Sequence, residues 1–313
     1  MTDANCTRTL IGKSTMSEMT LGLDLSDRLP RIVVVNDTGQ VVARADITPT
    51  AGPLAAGVRD GAKRAVAGAG TTPAAMAVAF ASSGGTVPPD IAAALSEAVP
   101  GVDAPLAIAA GTAALLAEQW CGAARGLSNV ITCAIGEHVT AGILLNGQPW
   151  HGANGLAGSV GWLALNPVER EDYRRFGGLE AEVAAAGIVR RLVWRIKSGD
   201  HSTVGDEAGG DFSRVTADDV FQAARQGDGV SISVVRDTAK YVGMAIANLA
   251  TILDPEAIVL GGMIASAGDI MLEAIRVECH RRLRPAQVER LRIVLSTLGP
   301  DAVAIGAARA ARA

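Results

Sequence analysis

The apolar pattern of this chain runs through one series of elements twice, and few folds accommodate such a doubling. Thr20–Asp24, Arg31–Val35 and Gln40–Ala45 are apolar runs divided by short polar breaks, and N-D-T-G is a strong hairpin signal. The spacing predicts a helix over 53–69, a buried strand over 75–81 and a loop at S-S-G-G-T-V-P-P. A short helix over 90–98, a strand over 104–109 and a helix over 112–121 follow. The series then restarts with strands over 129–135 and 140–145 and a hairpin turn at N-G-Q-P. Residues 179–198 read as one helix and 199–214 as a mobile, polar, Gly-rich loop. Helices over 217–226 and 231–253, a strand over 257–260, a helix over 267–283, a strand over 291–295 and a helix over 301–312 complete the chain. Two strand-hairpin-helix units predict two α/β lobes around a cleft. The expected division is a flexible tail over 1–18, an N-terminal lobe over 19–111 and a C-terminal lobe over 112–299. The last segment, 300–313, is expected to pack back on the first lobe.

Composition narrows the function. The chain has 313 residues, 49% hydrophobic and 19% charged, enough for a sizeable core. Only 3% is aromatic, so that core is built from Ala, Val, Leu and Ile. A net charge of −4 argues against a nucleic-acid platform, and Arg281, Arg282 and Arg284 read as a solvated helix face. Cys6, Cys121, Cys133 and Cys279 form no C-x-x-C pair and read as reduced thiols, two or three of them buried. No apolar run reaches membrane-spanning length, and M-T-D-A-N-C-T-R-T-L lacks the apolar region of a signal peptide; Met16 or Met19 could be the true start. A cytoplasmic protein without a membrane partner is expected.

Three strings are more specific. Residues 152–162 read G-A-N-G-L-A-G-S-V-G-W, residues 253–274 read L-D-P-E-A-I-V-L-G-G-M-I-A-S-A-G-D-I-M-L-E-A, and residues 298–308 read L-G-P-D-A-V-A-I-G-A-A. They resemble strings of the ROK family (repressors, open reading frames and sugar kinases), and the resemblance covers residues 20–312 almost without gaps. It implies a two-lobed actin-like ATPase (ribonuclease H-like) fold of the ROK sugar kinase type. It also implies a homodimer or homo-oligomer. Only a short tail precedes the first strand here, so the helix-turn-helix domain of the family's repressors is not expected.

Against that family the chain departs at chemistry-bearing positions. Residues 105–126 resemble the segment that normally carries N-D-A-N, whose Asp is the general base. That position is Ala110 here, flanked by Ala109 and Thr112 at the Asn positions, and alanine cannot accept a proton. The first phosphate loop, D-I-G-G-T-K in the family, reads Asp24-Leu25-Ser26-Asp27-Arg28-Leu29-Pro30. Asp24 is kept and could help hold Mg²⁺, but both glycines that let backbone N–H groups approach phosphate are gone. Asp27 and Arg28 are expected as solvated turn residues, although Arg28 could grip a phosphate.

The second phosphate loop, G-T-G-I-G-A-G in the family, reads Gly136-Glu137-His138-Val139-Thr140-Ala141-Gly142. Glu137 replaces a phosphate-binding Thr and would repel a nucleotide. Glu137 and His138 are expected as solvent-facing loop residues rather than a new base or metal ligand.

On the sugar side, Ser159 and Trp162 stand where the family has its sugar-binding Glu and zinc-binding His. Asn154 and Glu180 are kept, and the segment that supplies a sugar-binding Asn is shortened to G-T-V-P-P-D. The cysteine positions of the zinc motif become Glu171, Tyr173 and Gly178, so zinc is not expected. Trp162, Tyr173 and Phe176 could form an apolar substitute core; Trp162 is read as filling that volume ahead of stacking on a sugar. At the adenosine end Gly261 and Gly262 remain, and Met263 replaces a third glycine.

The combined expectation is a degenerate, glucokinase-like ROK protein without catalytic residues. Residual nucleotide positions are Asp24, Gly136, Gly261 and Gly262; ligand positions are Glu180, Ser159, Trp162 and Asn154. It would act by binding a sugar-like small molecule or a protein, with no cofactor. The alternatives are a divergent Mg·ATP-dependent hexose or cyclitol kinase and a sugar-ligand sensor.

Overall fold

The computed structural model of the protein describes residues 18–48, 52–81 and 85–312. The first half gives β1 (Thr20–Asp24), β2 (Arg31–Val35), β3 (Val41–Asp46), α1 (Leu54–Ala69), β4 (Ala75–Phe80), α2 (Pro89–Ala98), β5 (Leu106–Ala109) and α3 (Ala110–Cys121). The second gives β6 (Val130–Ile135), β7 (Val139–Leu145), β8 (Gln148–Pro149), α4 (Glu171–Phe176), α5 (Gly178–Val183), α6 (Ala185–Lys197), α7 (Thr203–Ala208) and α8 (Ala217–Arg225). It continues with α9 (Gly229–Leu253), β9 (Ala257–Gly262), α10 (Met263–Ser266), α11 (Gly268–His280), α12 (Pro285–Arg290), β10 (Arg292–Leu295) and α13 (Ala302–Ala310).

The doubling seen in the sequence is a doubling of topology. One sheet has the order β3-β2-β1-β4-β5 and the other β8-β7-β6-β9-β10. In each, three strands form an antiparallel meander, and two parallel strands extend the sheet from the meander's first strand. The central strands are the most apolar because both faces are covered: β1 is buried along its whole length, and β6 all but throughout.

Two helices lie between the sheets. α13 packs on β1 and β4, and α3 packs on β7 and on α13. The layers approach closely because small residues line them. A Cβ at Gly22 of β1 would collide with the Ala304 carbonyl of α13, and one at Gly306 of α13 with the Ala113 carbonyl of α3. This stacking explains how an Ala-rich, aromatic-poor chain still reaches native packing density.

The structure departs from the sequence reading in four places. The expected mobile loop over 199–214 contains α7, because buried Asp228 accepts hydrogen bonds from the Thr203 N–H (2.9 Å) and the Ser202 hydroxyl (3.2 Å). The expected helix over 179–198 is two helices that break at Ala184, where the Ala185 N–H leaves the helix ladder for the Gly136 carbonyl (3.0 Å). The helix predicted over 267–283 stops at His280, with α12 separate after it.

Fourth, no apolar core replaces the zinc motif. Trp162 is 61% exposed and Phe176 is 42% exposed. Instead the Tyr173 hydroxyl donates to the buried Glu182 carboxylate, with Arg170 (3.3 Å) and Arg191 (3.7 Å) beside it. A buried carboxylate needs such partners, and they come from the start of α4 and from α6.

Cys133 and Cys279 are buried and Cys121 half-buried, all as free thiols; Cys6 lies outside the described residues. Burial pushes the Cys133 thiol up to about 12. The tail and the alternative start at Met16 also fall outside the described residues. None of the helices among the described residues is long and apolar enough to cross a membrane.

Candidate functional site

The cleft forms where β1, β6 and β9 end at their carboxyl edges, the position at which α/β sheets usually bind ligands. Asp24 closes β1, Gly136 follows β6, and Gly261 and Gly262 close β9. These four line one cavity of about 90 Å³ together with Ser26, Asp27, Glu118, Glu137 and His138. The four nucleotide-side residues singled out in the sequence therefore share one wall. Met263 does not join them; it packs against the core of the second half. Gly262 has φ +67°, and a Cβ there would strike the Ile135 carbonyl, so β9 and β6 meet at a backbone-to-backbone contact.

This phosphate-side cavity is acidic. Asp24, Asp27, Glu118 and Glu137 line it, and among the described residues no Lys or Arg does. Asp24 is 5% exposed, and its Oδ1 accepts from both the N–H (2.8 Å) and the hydroxyl (2.6 Å) of Ser26. Burial pushes its carboxyl above the usual range, and the Ser26 hydrogen bonds only partly offset this. Glu118 turns inward, where its Oε2 accepts from the Ala123 N–H (2.7 Å). Asp27 and Arg28 are exposed on the turn after β1. Among the described residues no three His, Cys, Asp or Glu groups converge to hold a metal ion.

A second cavity of about 460 Å³ opens on the sugar side. It is lined by Ala109, Gly111, Leu156, Ser159, Trp162 and Glu180, with His138 and Thr140 between it and the first. Ala110 is 1% exposed, turned inward at the start of α3, while its neighbours on either side face the cavity. Asn154 is exposed on its turn and does not line the cavity.

His138 was read as solvent-facing, and it is half exposed; yet it lines both cavities, and its Nδ1 lies 3.2 Å from Oε1 of Glu180. The other oxygen of Glu180 accepts from the Val139 N–H (2.8 Å). Sequence spacing gives no hint of this pair, because 42 residues separate its members.

The ROK family profile matches residues 90–313. The chain belongs to the ROK family. A glucokinase of Halalkalibacterium halodurans is 36% identical over 198 residues, which cover 62% of this chain and 59% of that protein. The DNA-binding transcriptional dual regulator NagC of Escherichia coli is 30% identical over 184 residues, 58% of this chain and 44% of the regulator. The match thus spans less than two thirds of either relative.

Among solved structures, a ROK glucokinase of Streptomyces griseus, in complex with glucose and AMPPNP, superposes with a TM-score of 0.75. It shares 24% identity and covers 94% of this chain and 99% of its own. A ROK transcriptional regulator homologous to the Escherichia coli MLC protein gives 0.77 at 20% identity, over 95% of this chain and 78% of the regulator. Both share the two-lobed actin-like ATPase fold of ROK sugar kinases. One fold thus carries catalysts and regulators, and the site decides between them.

Proposed function

We propose that this chain is a non-catalytic ROK protein that holds a sugar-like ligand in its cleft and acts by binding or regulation. The acidic phosphate-side cavity carries this reading. Phosphoryl transfer is positioning plus neutralisation of charge on the transferred group. Here a triphosphate would face Asp24, Asp27, Glu118 and Glu137 without a Lys or Arg among the lining residues. Like charges brought together in a partly desolvated cleft repel more strongly than in water, which disfavours a triphosphate here. This residue set does not suit Mg·ATP. Ala110 offers no proton acceptor, and Tyr173, Glu182, Arg170 and Arg191 offer none of the thiolate or imidazole ligands that structural zinc takes. A homodimer or homo-oligomer in the cytoplasm is the assembly and place we assign to it.

A divergent sugar kinase is the alternative, and one observation favours it. The imidazole of His138, backed by Glu180, is the kind of group that can accept a proton. An ADP-release assay with Mg·ATP across hexoses, amino sugars and cyclitols separates the two. Turnover equal to a no-enzyme control is the expected result; sugar-dependent release well above it overturns the non-catalytic reading.

A further inference from the structure

Trp162 and Leu156 line the sugar-side cavity with 61% and 60% of their surfaces exposed. Large apolar side chains left in water on a concave wall are a liability until something covers them, and such walls mark binding sites. Neither side chain is fixed by a core contact, so filling a lost metal site does not account for Trp162.

The remaining wall sets Glu180, His138, Thr140 and Ser159 among small apolar residues, and among the described residues no Lys or Arg lines it. Both oxygens of Glu180 are engaged, Oε1 by His138 and Oε2 by the Val139 N–H. Pairing at Nδ1 leaves Nε2 of the imidazole without a protein partner among the described residues, open to a ligand hydroxyl. The Ser159 hydroxyl donates to the Leu156 carbonyl (2.8 Å) and keeps its lone pairs as acceptors. An anionic sugar would meet the Glu180 carboxylate with no Lys or Arg among the described lining residues to offset it. At about 460 Å³ the cavity falls within the roughly 300–1,000 Å³ that suits a drug-sized ligand.

We propose that the ligand is an uncharged glycoside with an apolar aglycone or second ring. The indole of Trp162 stacks on the apolar face, Leu156 flanks it, and His138, Glu180 and Ser159 take hydroxyls. This rests on the ligand-binding reading above and names its ligand class. An aromatic platform of this kind holds flat apolar surface with little entropy cost.

The test is titration calorimetry on the full chain with p-nitrophenyl glycosides of glucose, galactose, mannose and N-acetylglucosamine. Each is compared with its free sugar and its 6-phosphate. At least one glycoside is expected to bind about tenfold more tightly than its free sugar, with the 6-phosphate weakest. Trp162→Ala is expected to bring the ratio of glycoside to free-sugar affinity to about one; a circular dichroism spectrum checks that this exposed position leaves the fold intact. Equal affinity of glycoside and free sugar, or no effect of Trp162→Ala, overturns the stacking inference and leaves the binding reading standing. Tightest binding by a 6-phosphate overturns the neutral-ligand inference alone. Failure of the whole panel to bind overturns both.

Discussion

Nδ1 of His138 lies 3.2 Å from Oε1 of Glu180, and the imidazole stands between the phosphate-side and sugar-side cavities. A group in that position separates the two halves that a kinase must join. Removing it therefore tests what it does. His138→Ala is expected to weaken carbohydrate binding about three- to tenfold, the worth of one lost hydrogen bond, without creating ATP turnover. Calorimetry and an ADP-release assay on the same variant check both halves.

Asp24 gives a pH prediction. Burial dominates and raises its carboxyl from the ordinary 3.8; hydrogen bonds from Ser26 lower it in part, Asp27 raises it, and Arg31 lowers it. The folded chain thus holds this proton more tightly than the unfolded chain. Stability is therefore lost as pH rises from 3.8 through the folded value, and the cost is constant above it. Asp24→Asn keeps an acceptor for Ser26 and removes the charge. Its melting temperature at neutral pH is expected to equal or exceed the parent's, with the difference closing as pH falls toward 4. Thermal melts over that range measure it.

The crossing of α13 over α3 depends on the absence of a side chain at Gly306, where a Cβ would meet the Ala113 carbonyl. Gly306→Ala is expected to cost at least the upper end of the roughly 1–3 kcal/mol typical of overpacking, because the obstacle is backbone. Urea denaturation gives the number. A loss below that range would mean the layers separate more easily than their packing implies.

Tyr173 stands at a cysteine position of the family's zinc motif and donates its hydroxyl to Glu182. Tyr173→Phe removes a hydroxyl donor from a carboxylate whose side chain is 2% exposed, and about 1–3 kcal/mol of stability is the expected loss. A chelator is expected to leave the parent's melting temperature unchanged, and elemental analysis to find no stoichiometric zinc.

Much of the fold was legible because strands and helices write their period into apolar spacing. The repeated meander and the L-D-P-E-A-I-V-L-G-G string carried the fold. What stayed hidden depends on contacts between distant residues. The helix break at Ala184 follows from the bond of Ala185 to Gly136, and α7 follows from Asp228, 25 residues beyond Thr203. In the site, Asp24, Gly136, Gly261 and Gly262 were found through their resemblance to the family's nucleotide strings, and they share one wall because the cleft gathers strand ends. Asn154 sits on a turn outside the cavity lining, and only its place in a string had pointed to it. His138 was passed over because a lone His in a loop carries no signal until the fold brings Glu180 to it.

The most direct test of the central claim is titration calorimetry with Mg·ATP, which needs no knowledge of the sugar. Heats no larger than dilution up to millimolar nucleotide are the predicted result. Saturable binding below that concentration would show that the cleft still accepts phosphates, and would contradict the non-catalytic account.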